Sequence, residues 1–222
     1  MTVEQPGVAT DAVDLDGVTL DQFQRFYRFV REVILPFEPK SFVELAPFHL
    51  QLMWTACKKE SASAAPRGSL KSTIVSRWHT LFLVTDEQRH RDEVGLPPVD
   101  VLMVSEGGDL PKEHLDWIKE HLQDNVVLKE RYGYLPDESK LTWNDGEIEL
   151  RNGARVIAKG INARLRGLHP THIKCDDIEG ENSVSSEDTL KSLKDKFWLV
   201  IWPMLTPSSS LSFIGTIVCR DS

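Results

Sequence analysis

The chain has 222 residues, enough for one sizeable core and too few for two large domains. Hydrophobic residues make up 41% and charged residues 27%, the balance of an ordinary globular protein. The net charge of −8 excludes a broadly basic surface of the kind that coats DNA, so any nucleic-acid contact must be local or supplied by a partner.

Residues 1–19 are polar and acidic and read as a flexible tail. They lack the basic and apolar regions of a signal peptide. From Asp21, Phe23, Phe26, Tyr27, Val30 and Ile34 recur at helical spacing until Pro36. A short helix is predicted over 47–56, and Lys58, Lys59 and Glu60 read as a solvated face. Residues 61–65 lead as a strand into a loop, and Ile74, Val75, Trp78, Leu81 and Phe82 mark the helix that follows. Residues 86–98 are charged and Pro-rich and predict a surface loop. The apolar run 99–104 predicts a buried strand ending at Ser105-Glu-Gly-Gly108, and Leu115, Ile118 and Leu122 mark the next helix. Segments 147–150 and 155–158 flank Asn152-Gly153, two residues that tolerate positive φ, which predicts a hairpin. A third buried strand is predicted over 171–175. Ser185-x-x-Asp188 reads as a capping box opening an amphipathic helix to about Trp202, closed by Pro203 and Pro207. Trp198 and Trp202, four apart on that helix, are assigned to the core. The last strand runs over 211–216.

No apolar run approaches the ~18 residues that span a bilayer. Cys57, Cys175 and Cys219 are scattered without a CxxC pair, which predicts neither a zinc site nor a disulfide framework and fits a reducing cytoplasm. His169-x-x-His172 lacks a third ligand and is assigned a structural or surface role. Alternating strands and helices predict an α/β fold, a mainly parallel central sheet with helices on both faces. In such sheets, ligands bind beyond the carboxyl ends of the strands.

Three segments carry residues suited to chemistry at those ends. The first is Ala65-Pro-Arg-Gly-Ser-Leu-Lys-Ser72. A phosphate-binding loop needs a strand end, a tight turn with inward N–H groups, a Lys, and a Ser or Thr at a helix N-terminus. Here Lys71 would reach the β- and γ-oxygens of a nucleotide and Ser72 would bind Mg²⁺. The pattern GxxxxGK[ST] is not met, because Ala65 and Leu70 stand at its glycines. A basic cap on an ordinary helix is the plainer reading of this segment alone. The second is His172-Ile-Lys-Cys-Asp-Asp-Ile-Glu179. An apolar strand ending in two acids puts Asp176 on Mg²⁺ and Asp177 where it orients an attacking water, with Glu179 the alternative base. A solvated strand end is the plainer reading there. The third is Gly215-Thr216, which would lie beside a γ-phosphate and pass its loss to the next segment.

Taken together, these segments resemble the large subunits of phage terminases. Pro66-Arg-Gly-Ser-Leu-Lys-Ser-Thr73 looks like that family's variant of the Walker A loop, which assigns Pro66, Arg67, Gly68, Ser69, Leu70, Lys71, Ser72 and Thr73 to nucleotide. Arg67, four before the Lys, matches an Arg implicated in catalysis or in sensing nucleotide. Gly160-x5-Arg166-Gly167 followed by Asp176-Asp-Ile-Glu179 resembles another signature of the family, and Phe213-Ile-Gly-Thr216 its coupling motif. Pro47-Phe48-His49 sits where the family often has a Pro-aromatic-Gln adenine contact, with His49 in place of Gln. Arg166 is favoured over Arg164 for contact with DNA or, in trans, with a neighbouring subunit. The match runs from about residue 45 to the end of the chain.

The resemblance implies a P-loop NTPase of the ASCE type over residues 20–222, the N-terminal ATPase part of a terminase, with the nuclease outside this chain. It implies ATP and Mg²⁺ as cofactors. Its partners would be double-stranded DNA, a homo-oligomeric ring on a portal and a terminase small subunit, in the host cytoplasm and away from membranes. Rival readings are another P-loop enzyme, helicase-like or a nucleotide kinase, and a non-catalytic assembly module.

Overall fold

The computed structural model describes residues 20–39, 45–140, 142–179 and 186–216. The expected tail at 1–19, Ser185 and Cys219 lie outside the described residues.

The first helix, α1, covers Leu20–Phe29 and continues through Val30–Ile34. Its apolar spacing puts Phe26, Phe29, Val30, Val33 and Ile34 on one buried stripe. Helix α2 covers Pro47–Ala56 and strand β1 Glu60–Ala64. A long helix, α3, runs without interruption through Thr73–Trp78, His79–Phe82, Leu83–Glu87 and Gln88–Glu93. Then come β2 (Asp100–Ser105), α4 (Asp109–Asp124) and α5 (Val126–Tyr132). Strands β3 (Glu147–Glu149), β4 (Arg155–Gly160) and β5 (His172–Asp176) follow. Helix α6 starts at Glu187–Lys196 and continues through Phe197–Ile201 and Trp202–Met204, and β6 covers Ser210–Gly215.

The six strands lie in the order β1-β6-β5-β2-β4-β3. Every pairing is parallel except the β3–β4 hairpin. Side-chain alternation divides the core in two. Val101, Met103, Val156, Ala158 and Ile214 face the cluster built by α1 to α5. Leu102, Val104, Ile157, Ile173, Cys175 and Leu211 face the cluster that α6 closes with Leu193, Ile201 and Met204. The predicted mainly parallel sheet flanked by helices is therefore the observed one.

Four local expectations are corrected. Residues 86–93 are helix rather than surface loop, because their polar side chains are bonded inward. Arg25 reaches Asp86 at 3.0 Å and Glu87 at 2.7 Å, and the Tyr132 hydroxyl donates to Asp86 at 2.9 Å. The buried Gln88 accepts from the Val99 N–H at 2.7 Å and donates to Asp92 at 2.6 Å. The hairpin turn uses positive φ only at Gly153 (+82°), while Asn152 works through its side chain. That side chain accepts from the Ala154 N–H and donates to the Val84 carbonyl, tying the hairpin to α3. The N-cap of α6 is Ser186, whose hydroxyl accepts from the Thr189 N–H at 3.2 Å. Finally, Trp198 and Trp202 are 56% and 40% exposed, not core. Helical spacing sets which residues share a side, and here Leu193, Ile201 and Met204 take the inward side.

Lysine 174 breaks the apolar pattern of β5. It is fully buried on the α3 side, and its Nζ lies 2.8 Å from His79 Nδ1 and donates to Ser212 Oγ at 2.9 Å. Burial pulls its ammonium down from the usual lysine range to about 7. Among the described residues, no helix is long and apolar enough to cross a membrane.

Candidate nucleotide site

The site is assembled at the carboxyl ends of neighbouring parallel strands. β1 delivers the 65–72 loop, β6 delivers Gly215 and Thr216, and β5 delivers Asp176 and Asp177. β1 is an edge strand with alternating exposure, so it needs no Val or Ile. Its Ser/Ala composition suits one half-covered face.

The loop turns through positive φ twice, at Gly68 (+80°) and Leu70 (+60°). Glycine adopts this conformation freely; a leucine does so only under local strain. Leu70 is held there by partial burial against the core and by its carbonyl, which accepts from the Ile74 N–H at 2.8 Å. A Cβ added at Gly68 would meet nothing within 4 Å. Gly68→Ala therefore isolates the backbone term and is expected to cost about 1–2 kcal/mol of stability. Chemical denaturation of the variant beside its parent measures it, and no loss would mean the loop relaxes freely.

Lys71 is 6% exposed. Its ammonium donates to Thr216 Oγ1 at 3.1 Å and lies 3.8 Å from Asp177 Oδ2. Asp177 Oδ1 in turn accepts from the Thr216 N–H at 3.0 Å. Asp177 sits just past β5 at φ +45°, a left-handed conformation that Asp tolerates better than most residues. Its N–H donates to the Ile214 carbonyl at 2.9 Å and its carbonyl accepts from Glu106 at 3.3 Å, so the backbone is pinned on both sides. Lysine, carboxylate and the Gly-Thr segment thus form one contact group.

Asp176, 3% exposed, points beneath the loop. Its Oδ1 accepts from Ser72 Oγ at 2.9 Å and its Oδ2 from Ser76 Oγ at 2.7 Å. His114 Nε2, from α4, lies 3.0 Å from the same Oδ2. Ser76 and His114 were not singled out in the sequence. Each carried a signal: Ser76 stands one helical turn after Ser72, and His114 lies on the buried stripe with Pro111, Leu115 and Ile118.

The other expected residues fall as follows. Ser69 is 8% exposed, and its Oγ is buried with no hydrogen-bond partner among the described residues. Arg67 and Pro66 are exposed at the loop's outer side, and Thr73 is half-buried in the first turn of α3. Glu179 is half-buried and makes no hydrogen bond or ion pair to the Lys71 group among the described residues. His49 serves its own helix: Nδ1 accepts from the Ala46 N–H at 3.0 Å, and the ring lies 3.9 Å from that of Phe48. Its Nε2 is the ring nitrogen left for a ligand. Arg166 and Arg164 are exposed on the crossing from β4 to β5. Arg166 lines a cavity of about 330 Å³ with Asp188, Lys191 and Asp195, not the Lys71 group. Gly160 has a packing reason: a Cβ there would come within 3.0 Å of the Gly107–Gly108 backbone at the end of β2.

Compared with known proteins, the sequence matches no family model and no curated protein. The fold is similar to that in the crystal structure of the HK97 bacteriophage large terminase, with a TM-score of 0.56 and 12% identity. The likeness covers 88% of this chain and 37% of that one, so the chain spans about a third of the terminase's length. What the two share is an α/β fold, in this chain a mostly parallel six-stranded sheet flanked by helices. In open sheets of this kind ligands bind beyond the carboxyl ends of the strands, here the segment after β1, the end of β5 and the end of β6. These are the three places where Lys71, Asp176 with Asp177, and Thr216 meet.

Proposed function

We propose that this chain is a Mg²⁺-dependent ATPase that drives double-stranded DNA, as the motor part of a terminase. The observation that carries the reading is the convergence of Lys71, Thr216 and Asp177 above the Ser72–Asp176 pair. It rests also on the likeness to a large terminase in fold.

The residues fit a magnesium nucleotide. Ser69 Oγ is a buried polar atom awaiting a partner, which a phosphate oxygen supplies. The N–H groups of Leu70, Lys71 and Ser72 have no backbone acceptor among the described residues and stand at the start of α3, where anions bind. Ser72 Oγ and Asp176 Oδ1 are hard oxygen donors 2.9 Å apart, suited to Mg²⁺. No cluster of three or more His, Cys, Asp or Glu among the described residues forms an all-protein metal cage. When bound, Mg²⁺ would neutralise phosphate charge.

The chain's own residues would divide the work. Lys71 leaves Thr216 and Asp177 for the phosphate oxygens. Asp177, released from the ammonium but still bonded to the Thr216 N–H, would accept a proton from a water whose oxygen bonds the γ-phosphorus as the bond to the bridging oxygen breaks and ADP leaves. Thr216 then reports the state of the phosphate to the segment after β6. Arg67, exposed in the loop, would add positive charge at the γ-position. Net charge of −8 assigns DNA contact to a local patch or to a partner.

Lys71→Ala is expected to weaken ATP binding at least tenfold, through loss of one charge-assisted contact of ~1.5–3 kcal/mol. Equilibrium binding with a fluorescent ATP analogue measures this, and hydrolysis with and without double-stranded DNA tests the motor reading. Equal affinity in parent and variant would sink the placement of Lys71. Turnover indifferent to DNA would point to a nucleotide kinase or another P-loop enzyme, and absence of binding in a folded parent to an assembly module.

A further inference from the structure

The geometry points to His114 as a positioning residue that presents Asp176 to magnesium, an inference that rests on the ATPase reading above. His114 is 2% exposed and lies on α4, in a different element from any residue of the loop. Arg77, half-buried on α3, donates from Nε to His114 Nδ1 at 3.0 Å. A guanidinium has hydrogens to give and no lone pair to offer, so Nδ1 must be the acceptor. The ring proton therefore sits on Nε2, which donates to Asp176 Oδ2 at 3.0 Å. Arg77 fixes the tautomer, and the tautomer fixes the direction of the bond.

The consequence lies in how the two carboxylate oxygens are used. Oδ2 accepts two donors, from Ser76 and from His114. Oδ1 accepts one, from Ser72, the residue at the mouth of the loop. Protein groups therefore fill Oδ2 and leave free capacity on Oδ1, the oxygen nearest the hydroxyl expected on the ion. Three donors from two helices fix the buried carboxylate in rotation. Without His114, Asp176 keeps only hydroxyl donors from α3 and can turn about its χ2 bond. Outer partners of this kind set the affinity of a metal site while touching no ion themselves.

The test separates metal from nucleotide. A fluorescent ADP is titrated into parent, His114→Leu and His114→Gln, first in EDTA and then at increasing Mg²⁺. His114→Leu removes the donor at similar volume, whereas the Gln amide restores an N–H at the place of Nε2. The Mg²⁺ concentration for half-maximal tightening is expected to rise about 10–100-fold in His114→Leu and to stay within about threefold in His114→Gln. Affinity for ADP in EDTA is expected to be the same in all three. Should His114→Leu not fold, Arg77→Met releases the tautomer and is expected to raise the Mg²⁺ midpoint by about threefold or more. An unchanged midpoint in the folded variant overturns the inference while leaving the ATPase reading intact. A parallel loss of affinity in EDTA also overturns it, because it marks a general structural role. A folded parent that binds no ADP sinks the ATPase reading, and this inference with it.

Discussion

Asp177→Asn is expected to lower ATP turnover by about 10²–10⁴-fold, the contribution of a positioned general base, while nucleotide affinity stays within about threefold. The substitution is nearly isosteric, and its amide oxygen can still accept from the Thr216 N–H that Asp177 Oδ1 holds at 3.0 Å. What it loses is a carboxylate able to take a proton and the attraction to Lys71, 3.8 Å away. Asp177 is 38% exposed at the side chain, so that attraction is screened and contributes little to stability. The effect belongs in kcat. Single-turnover hydrolysis with bound Mg-ATP reads it directly, beside Glu179→Gln as the comparison. Full activity in Asp177→Asn with loss in Glu179→Gln would move the base role to Glu179, two residues along the same segment. Loss in both would mean that the turn after β5 acts as a unit.

The division between what could be read from residues and what could not has physical reasons. Lys71, Ser72, Asp176, Asp177 and Thr216, which the structure brings together, could be named as candidates because phosphate chemistry would need such atoms at strand ends, marked by the apolar runs of β5 and β6 and by the loop pattern after the Ser/Ala-rich β1. The sheet class followed from the same alternation. Ser76 and His114 were missed because they act on Asp176 from inside α3 and α4, and a linear segment does not say which helix packs against which strand. The buried Lys174 and its partners His79 and Ser212 escaped for the same reason, since their pairing is across elements. Residues 86–93 read as loop because polarity was taken for exposure. The clamp of Arg25 and Tyr132 on Asp86 shows that polar groups bury well when each is bonded. Trp198 and Trp202 failed in the opposite sense, since large apolar size does not decide which side of a helix faces inward.

Phe82→Ala is expected to cost about 3–5 kcal/mol, one of the largest losses a single truncation can produce here. Phe82 is fully buried where α1 meets α3. Its ring centroid lies 5.2 Å from Phe26, 5.7 Å from Phe29 and 6.0 Å from His79. The Arg25 guanidinium lies 5.7 Å above the same ring, on its way to Asp86 and Glu87. Truncation therefore opens a cavity among side chains already fixed by other contacts, which limits collapse into the space. For a domain of this size the cost corresponds to a fall of ~6–20 °C in Tm, read by calorimetry. Phe82→Leu keeps most of the volume and is expected to lose less than half as much. The same pair of variants tests how the fold serves the site. The loop and Ser72 sit at the start of α3, while Phe82 anchors its middle against α1. Well below the variant's Tm, ADP affinity per folded molecule is expected to match the parent's, because Ser72 and Asp176 remain joined across α3 and β5. An affinity that falls together with stability would mean that the packing of α1 on α3 holds the 65–72 loop in shape.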